Sequence, residues 1–355
     1  MNKRVTREDI AKAAGVSVTA VSRAINNSGY VKQEKKDRII KVARELGYKN
    51  TINTLSMHQQ KTKQIIFFRE DLTGAYFNQM FHGITREAKK KDYRVLLDAQ
   101  YDFANIKNLL VDGIIFPNDS VAEKYASTVG QNYMLPTVTV AFNMASQFSK
   151  SIPEVLLDDR NVINTGIDYL LNMGHRRIGI ATPSDSSYAK YRLGFWEERL
   201  SFERIENYQN FEILIDSHTD FVGVDDMEFY YNVSNTFEYF DLFHIGELAA
   251  EKYMSSKRKA SAYLCFNDDM AHGMINRLEK LGVKVPEDVS ILGIDGTYIR
   301  NHYQKKLSSV ATFPERIGAD CVNLLINILE KKPYKYINWA KIEILEGDTV
   351  KKMNL

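Results

Sequence analysis

At 355 residues with 44% hydrophobic content, the chain is too long for one ordinary domain and apolar enough to bury a sizeable core. No apolar run reaches membrane-spanning length, Met1-Asn2-Lys3-Arg4 leads into a polar helix rather than a signal peptide, and the two cysteines, Cys265 and Cys321, lack metal-ligand spacing. Membrane insertion, export and a disulfide framework are therefore excluded as expectations, and a reducing cytoplasm is the simple location.

Charge divides the chain unevenly. Residues 1–63 hold 14 Lys and Arg against 5 Asp and Glu, net +9; with +2 for the whole chain, residues 64–355 carry −7. A basic head on an acidic body suits phosphate contact by the head alone.

The head's pattern runs from Thr6 to Arg23. Thr6 caps a first helix, with Asp9 three residues on as a short capping box and Ile10, Ala13 and Ala14 as the apolar stripe. Gly15 permits a left-handed turn, and Ser17 caps a second helix. There Val21, Ala24 and Ile25 face inward, leaving Val18, Thr19, Ser22 and Arg23 outward. A third helix, about Glu34 to Leu46, turns Ile39, Val42 and Leu46 inward and stops at Gly47. Two short helices around a glycine turn are the layout of a helix-turn-helix, whose second helix enters the DNA major groove. A generic three-helix bundle is the competing reading, and the charge argues against it.

A polar linker, Lys49 to Lys63, follows the head. Beyond it, strand candidates alternate with helices: Ile65–Phe68, Arg94–Leu97, Gly113–Phe116 and Thr137–Val140, then Arg177–Ala181, Phe211–Ile215, Ala262–Phe266 and Val289–Ile294. The expected fold class is α/β, with two similar lobes of parallel sheet behind the helical head. The expected domains are 1–48, a 49–63 linker, and a 64–355 core. One lobe would be 64–160 plus about 295–325, the other 161–294 plus about 326–355. Ligands of such sheets bind off the carboxyl ends of strands, which nominates the loops Arg69–Phe77, Pro117–Asp119, Thr182–Arg192, Asn267–Asp268 and Asp295–Thr297. Catalytic motifs are missing: no phosphate-binding loop, no Gly-x-Ser-x-Gly and no His-Glu-x-x-His. No cofactor, metal or catalytic residue is expected, and an enzyme acting on sugars is a remote alternative.

The stretch Thr6 to Asn26, followed by Ile39 to Tyr48, closely resembles the head of the lactose repressor–galactose repressor (LacI/GalR) family of bacterial regulators. The likeness continues through Gly174-His175-Arg176-Arg177-Ile178-Gly179, Asn267-Asp268-Asp269-Met270-Ala271-His272-Gly273, Val285-Pro286-Glu287-Asp288-Val289-Ser290 and Gly293-Ile294-Asp295. It implies a repressor-type homodimer that binds near-palindromic double-stranded operator DNA and senses a small molecule, expected to be a sugar, in a core resembling periplasmic sugar-binding proteins. Control by a phosphorylated carrier protein is the alternative within regulation. The chain's end, Glu346 to Leu355, has no leucine heptads, so a dimer is expected rather than a tetramer.

The resemblance also assigns residues. Val18, Thr19 and Arg23 match base readers, and the expected DNA-contacting set is Thr6, Arg7, Ser17, Val18, Thr19, Ser22, Arg23, Asn26, Tyr30 and Met57. Met57 is the counterpart of a minor-groove wedge in a hinge helix. Asn50, Thr51 and Thr54 depart from the family's hinge pattern and favour an unstructured tether as the competing reading. For the effector, Asp268 matches a family aspartate, its alternative being a helix cap near Met270. Tyr76 and Phe77 match an aromatic pair whose alternative is core packing. In Tyr191-Arg192-Leu193-Gly194-Phe195 the glycine register puts Tyr191 where the family has its effector arginine, leaving Arg192, with Trp196 nearby, to act from a shifted register. The short stretch between Leu97 and Gly113, including Ile106-Lys107-Asn108, resembles the subgroup regulating β-galactoside use and favours a galactose-type effector. The long stretch 203–245 reads as a surface excursion rather than a lid.

Overall fold

The computed structural model describes residues 5–26, 30–46, 62–69, 74–101, 103, 106, 109–129, 135–142, 152–184, 187–216 and 242–353. Met57, Asn50, Thr51, Thr54 and most of the 203–245 stretch lie outside the described residues.

The head holds three helices: α1 (Arg7–Ala14), α2 (Val18–Asn26) and α3 (Gln33–Glu45). Its capping box is reciprocal, with the Asp9 amide donating to Thr6 Oγ1 at 3.3 Å and the Thr6 amide donating to Asp9 Oδ2 at 2.7 Å. Gly15 sits at φ 62°, where a side chain would be strained, and lets α2 cross α1. The miniature core is Ile10, Ala11, Ala14, Val21, Ala24, Ile25, Ile39 and Ala43. Two expectations need correction. Ala13 is exposed and Ala11 takes its place inside, and Leu46 is exposed, so α3 packs through Ile39 and Ala43.

The core builds two sheets of the same strand order. The first lobe comprises β1 (Gln64–Phe68), α4 (Ala75–Lys90), β2 (Arg94–Asp98), β3 (Gly113–Phe116), α5 (Asp119–Val129), β4 (Thr137–Ala141) and β5 (Glu154–Leu156). The second comprises α6 (Asp159–Asn172), β6 (Ile178–Pro183), α7 (Ser187–Phe202), β7 (Glu212–Ile215), α8 (Leu242–Ser255), β8 (Ala262–Cys265), α9 (Asp268–Lys280), β9 (Ser290–Asp295) and β10 (Ser308–Ala311). Then α10 (Pro314–Leu329) and β11 (Ile337–Trp339) return to the first lobe, and β12 (Glu343–Leu345) ends in the second. The orders are β11-β5-β4-β3-β1-β2 and β12-β10-β9-β8-β6-β7, parallel except for the antiparallel β10–β12 pair.

The lobe boundaries differ from expectation. The chain crosses back after β10, not after Ile294, and β11 belongs to the first lobe rather than the second. The physical reason is composition. Ser308-Ser309-Val310-Ala311 carries no apolar run, yet it is buried because its hydroxyls find partners: Ser308 Oγ accepts from the Gly347 amide at 3.0 Å, and Ser309 Oγ donates to Asp268. β11 and β12 are three-residue strands that periodicity could not distinguish from loop.

Each lobe also crosses one helix pair through reciprocal glycines. A Cβ on Gly83 of α4 would overlap the Glu315 carbonyl of α10, and one on Gly318 of α10 would overlap that of Met80. Gly246 and Gly273 stand in the same relation to Met270 and Phe243, across α8 and α9. Among the described residues between β2 and β3, aromatic rings cover the sheet. Phe103 packs edge-on against Phe68 at 5.1 Å and Tyr125 at 5.6 Å, with Ile106 buried beside them.

Candidate functional site

On the head, α2 turns Val18 (42% exposed), Thr19 and Arg23 to solvent while Val21, Ala24 and Ile25 hold its other face to α1 and α3. The outward face is thus fixed by the inward one. Ser17 Oγ accepts from the Ala20 amide at 3.2 Å, capping the helix start. Arg7 of α1 donates to Ser22 Oγ at 3.2 Å, which ties the two helices together beside that face. Tyr30 is exposed between α2 and α3.

The second site lies where the carboxyl ends of both sheets meet. Arg192 of α7 points inward and is buried: its Nε donates to Asp159 Oδ1 at 2.9 Å, one Nη donates to the Phe266 carbonyl at 2.5 Å, and the guanidinium lies 4.9 Å from the Phe266 ring centre. Burial alone depresses the Arg192 pKa, but Asp159 and then Asp295 outweigh it and hold the group charged. Burial pushes the Asp159 carboxyl up, against the pull of Arg192, and its Oδ2 has no hydrogen-bond partner among the described residues. An acceptor left open in so dry a place costs free energy until a donor arrives.

Aromatic rings wall this pair. Tyr76 meets Phe77 edge-on at 5.1 Å and Phe142 at 6.2 Å, and Phe142 meets Tyr188 of α7 at 5.4 Å. The Arg69 guanidinium covers the Phe77 ring at 3.8 Å. Burial, followed by the Asp295 charge, raises the Tyr76 hydroxyl well above its usual range. Burial, then Asp119, pushes Tyr188 up to about 12. Buried Glu154 leaves Oε2 unpartnered and is pushed by burial, then by Asp119, to about 7. Among the described residues, two carboxyls, Asp159 and Asp295, act on the buried Arg192 guanidinium.

Asp268 is buried and hydrogen-bonded within the second lobe. Its Oδ2 accepts from the Thr297 amide at 2.7 Å and the Thr297 hydroxyl at 2.9 Å, and its Oδ1 accepts from Ser309 at 2.5 Å. The carboxyl that matched a ligand-binding aspartate also holds the loop after β9. The helix cap is one residue earlier, Asn267, which accepts from the Met270 amide at 2.9 Å.

The bacterial regulatory proteins, lacI family, model matches residues 6–50, and the periplasmic binding protein-like domain model matches residues 167–349. The chain joins a lacI-family DNA-binding domain to a periplasmic binding protein-like core. It is 27% identical over 359 residues to the probable transcriptional repressor ExuR of Bacillus subtilis, covering 98% of this chain and 99% of that one. It is 24% identical to the HTH-type transcriptional repressor PurR of Vibrio vulnificus over 98% of this chain and 99% of the other. Its fold matches the lac repressor dimer bound to operator and an anti-inducer, at TM-score 0.64 and 20% identity, covering 98% of this chain and all of that one. A regulator in complex with cellobiose, CelR, matches at TM-score 0.63 and 19% identity over 98% of this chain and all of the other.

With this head the chain is a DNA-binding transcriptional regulator, and the relatives it matches along its length are transcriptional repressors. No described helix is long and apolar enough to cross a membrane. Of the residues expected at its effector site, Tyr76, Phe77 and Arg192 gather between the lobes. Two do not join them. Tyr191 lies on the exposed side of α7, 47% accessible, because a one-residue step on a helix turns it about 100° from Arg192. Trp196 is fully buried in the second lobe's core, edge-on to Tyr208 at 5.4 Å, one turn beyond Arg192. Sequence reasoning missed Phe142, Tyr188 and Asp159. Asp159 was legible in principle, since Asp158-Asp159 opens α6 at the first crossing between the lobes.

Proposed function

We propose that this chain represses a carbohydrate-utilisation operon as a homodimer on a near-palindromic operator, released or retained by an uncharged, galactose-type sugar in the interlobe cleft. The observation that carries the reading is the buried Arg192–Asp159 pair, with one carboxylate oxygen lacking a hydrogen-bond partner among the described residues and the Tyr76 and Tyr188 rings close by. A guanidinium donating and a carboxylate accepting are what adjacent sugar hydroxyls require, and aromatic faces stack on a sugar's C–H face. The two carboxyls acting on Arg192 disfavour sugar acids and phosphates. The galactose preference rests on the shortened segment between β2 and β3, which resembles the subgroup regulating β-galactoside use. Structures of the same fold hold cellobiose and ribose.

A thermal-melt screen with the full chain tests this. A ligand at about a hundred times its dissociation constant adds roughly 2.7 kcal/mol. A rise with galactose or a galactoside, and none with galacturonate or galactose 6-phosphate, is expected. Silence across neutral sugars, together with operator affinity that responds to a phosphorylated carrier protein, would replace the reading with protein-partner control.

On the operator, the outward face of α2 is the reader, and Arg23 is suited to donate two hydrogen bonds to guanine. Arg23→Ala is expected to weaken specific binding by about 1–3 kcal/mol and to relax preference at one base pair, measured on a set of single-base operator variants. A uniform loss on all sequences would make Arg23 a phosphate contact instead.

A further inference from the structure

We infer that Asp112 is the anchor by which the first lobe holds the linker to the DNA-reading head, making it a positioning residue for operator binding. Asp112 immediately precedes β3 and is buried. Its Oδ1 accepts from the Thr62 amide at 2.9 Å and the Thr62 hydroxyl at 2.6 Å, and its Oδ2 accepts from the Lys63 amide at 3.0 Å. All three of these bonds go to the two residues where the linker enters the core. The bonds that seat Asp112 in the sheet are separate: its own amide donates to the Gln64 carbonyl at 2.7 Å.

The surrounding contacts reinforce the same point. Thr62 Oγ1, besides donating to Asp112, accepts from the Gln64 amide at 3.3 Å, so the hydroxyl is fixed in both roles. Lys63 stands at φ 57°, a left-handed backbone that a non-glycine residue keeps only where its surroundings fix it. Its carbonyl accepts from the Arg94 amide at 2.8 Å, and its ammonium lies 4.4 Å from the Tyr93 ring centre. The linker exit is therefore held in one direction, by one carboxylate above all.

Position gives this anchor its consequence. Asp112 stands at the amino end of β3, and Pro117 to Asp119 follow its carboxyl end in the cleft. β3 pairs with β1 on one side and β4 on the other, so it moves as part of the sheet. A lobe rotation set in the cleft reaches the linker through this strand, whose four residues span roughly 13 Å. The anchoring itself does not depend on what the cleft binds.

The test uses the full-length protein and a duplex that the wild-type chain selects from a random-sequence library. Asp112→Asn and Asp112→Ala are expected to lose about tenfold or more in affinity for that duplex, with little change on a non-specific duplex of equal length at low salt. Thr62→Val, which removes one of the three bonds, is expected to lose a smaller, several-fold amount. Amide exchange at Thr62 and Lys63 should accelerate in all three variants while exchange in β1, β3 and β4 stays slow. Wild-type affinity for the selected duplex in Asp112→Asn, despite fast exchange at Thr62 and Lys63, would overturn the proposal. Equal losses on both duplexes in Thr62→Val would also overturn it, because they would mark a general defect rather than misplaced heads.

Discussion

Arg192→Ala is expected to abolish the effector response and to destabilise the core by about 3–5 kcal/mol, the usual penalty when one partner of a buried ion pair is removed. Both partners are dry, at 7% and 1% side-chain exposure, so the figure needs no discount for solvent screening. The loss arises mostly on the side that remains. Asp159, already raised by burial, would have no guanidinium to offset that burial, and the Phe266 carbonyl would lose its donor. Since the folded carboxyl's pKa then rises further above its unfolded value, the variant's deficit should shrink as pH falls toward the unfolded carboxylate range and grow as pH rises. The double variant Arg192→Ala, Asp159→Asn removes the stranded charge and should recover part of the loss, a positive coupling read from a double-mutant cycle. Urea melts of the four proteins check this, with non-specific DNA affinity as the control for an intact head. A single variant that melts like the wild type, or a cycle with no coupling, would show that Arg192 and Asp159 are independent surface-like charges.

What the sequence made legible follows the strength of local signals. The head was readable because each turn has its own punctuation: Thr6 with Asp9, Gly15, and Ser17 are local devices that the structure forms as expected. Most of the apolar strand runs were readable for a similar reason, since strands buried on both faces are continuous apolar runs; the edge strands β2 and β7 are less buried but keep apolar residues. β10 was not, because its burial depends on Asp268 and Gly347, residues 41 and 39 positions away. The same limit explains the site. Arg192 in place of Tyr191 is decided by which side of α7 faces the other lobe, and Trp196 becomes core because α7 packs on Tyr208. Asp159 and Phe142 carry no motif of their own, and only the three chain crossings bring them beside Arg192. Asp268 shows the converse: a motif match singled it out, while the work of holding the loop after β9 is visible only in its hydrogen-bond partners.

That work predicts the second large effect. Asp268→Ala would leave the Thr297 amide, the Thr297 hydroxyl and the Ser309 hydroxyl without their buried acceptor. At about 1–3 kcal/mol for each stranded group, a loss of roughly 3 kcal/mol or more is expected. Asp268→Asn keeps one acceptor oxygen and should lose less, but it separates charge from geometry. Burial raises the Asp268 carboxyl to about 7, Ser309 and Thr297 offset part of that, and Asp295, also raised by burial, shares the same site. A carboxyl whose folded pKa exceeds its unfolded one binds a proton in the native state that the unfolded chain has released. Wild-type stability should therefore fall as pH rises from about 4 to about 7, and Asp268→Asn should flatten that slope. Urea melts at steps between pH 4 and 8 measure both curves, and parallel curves would mean that Asp268 is ionised throughout. A flattened curve has a mechanistic meaning for the cleft. Replacing Asp268 would loosen Thr297 and the loop after β9, so an effect on effector binding is expected to travel at least partly through that loop, whereas Asp159 keeps a buried oxygen with no hydrogen-bond partner among the described residues.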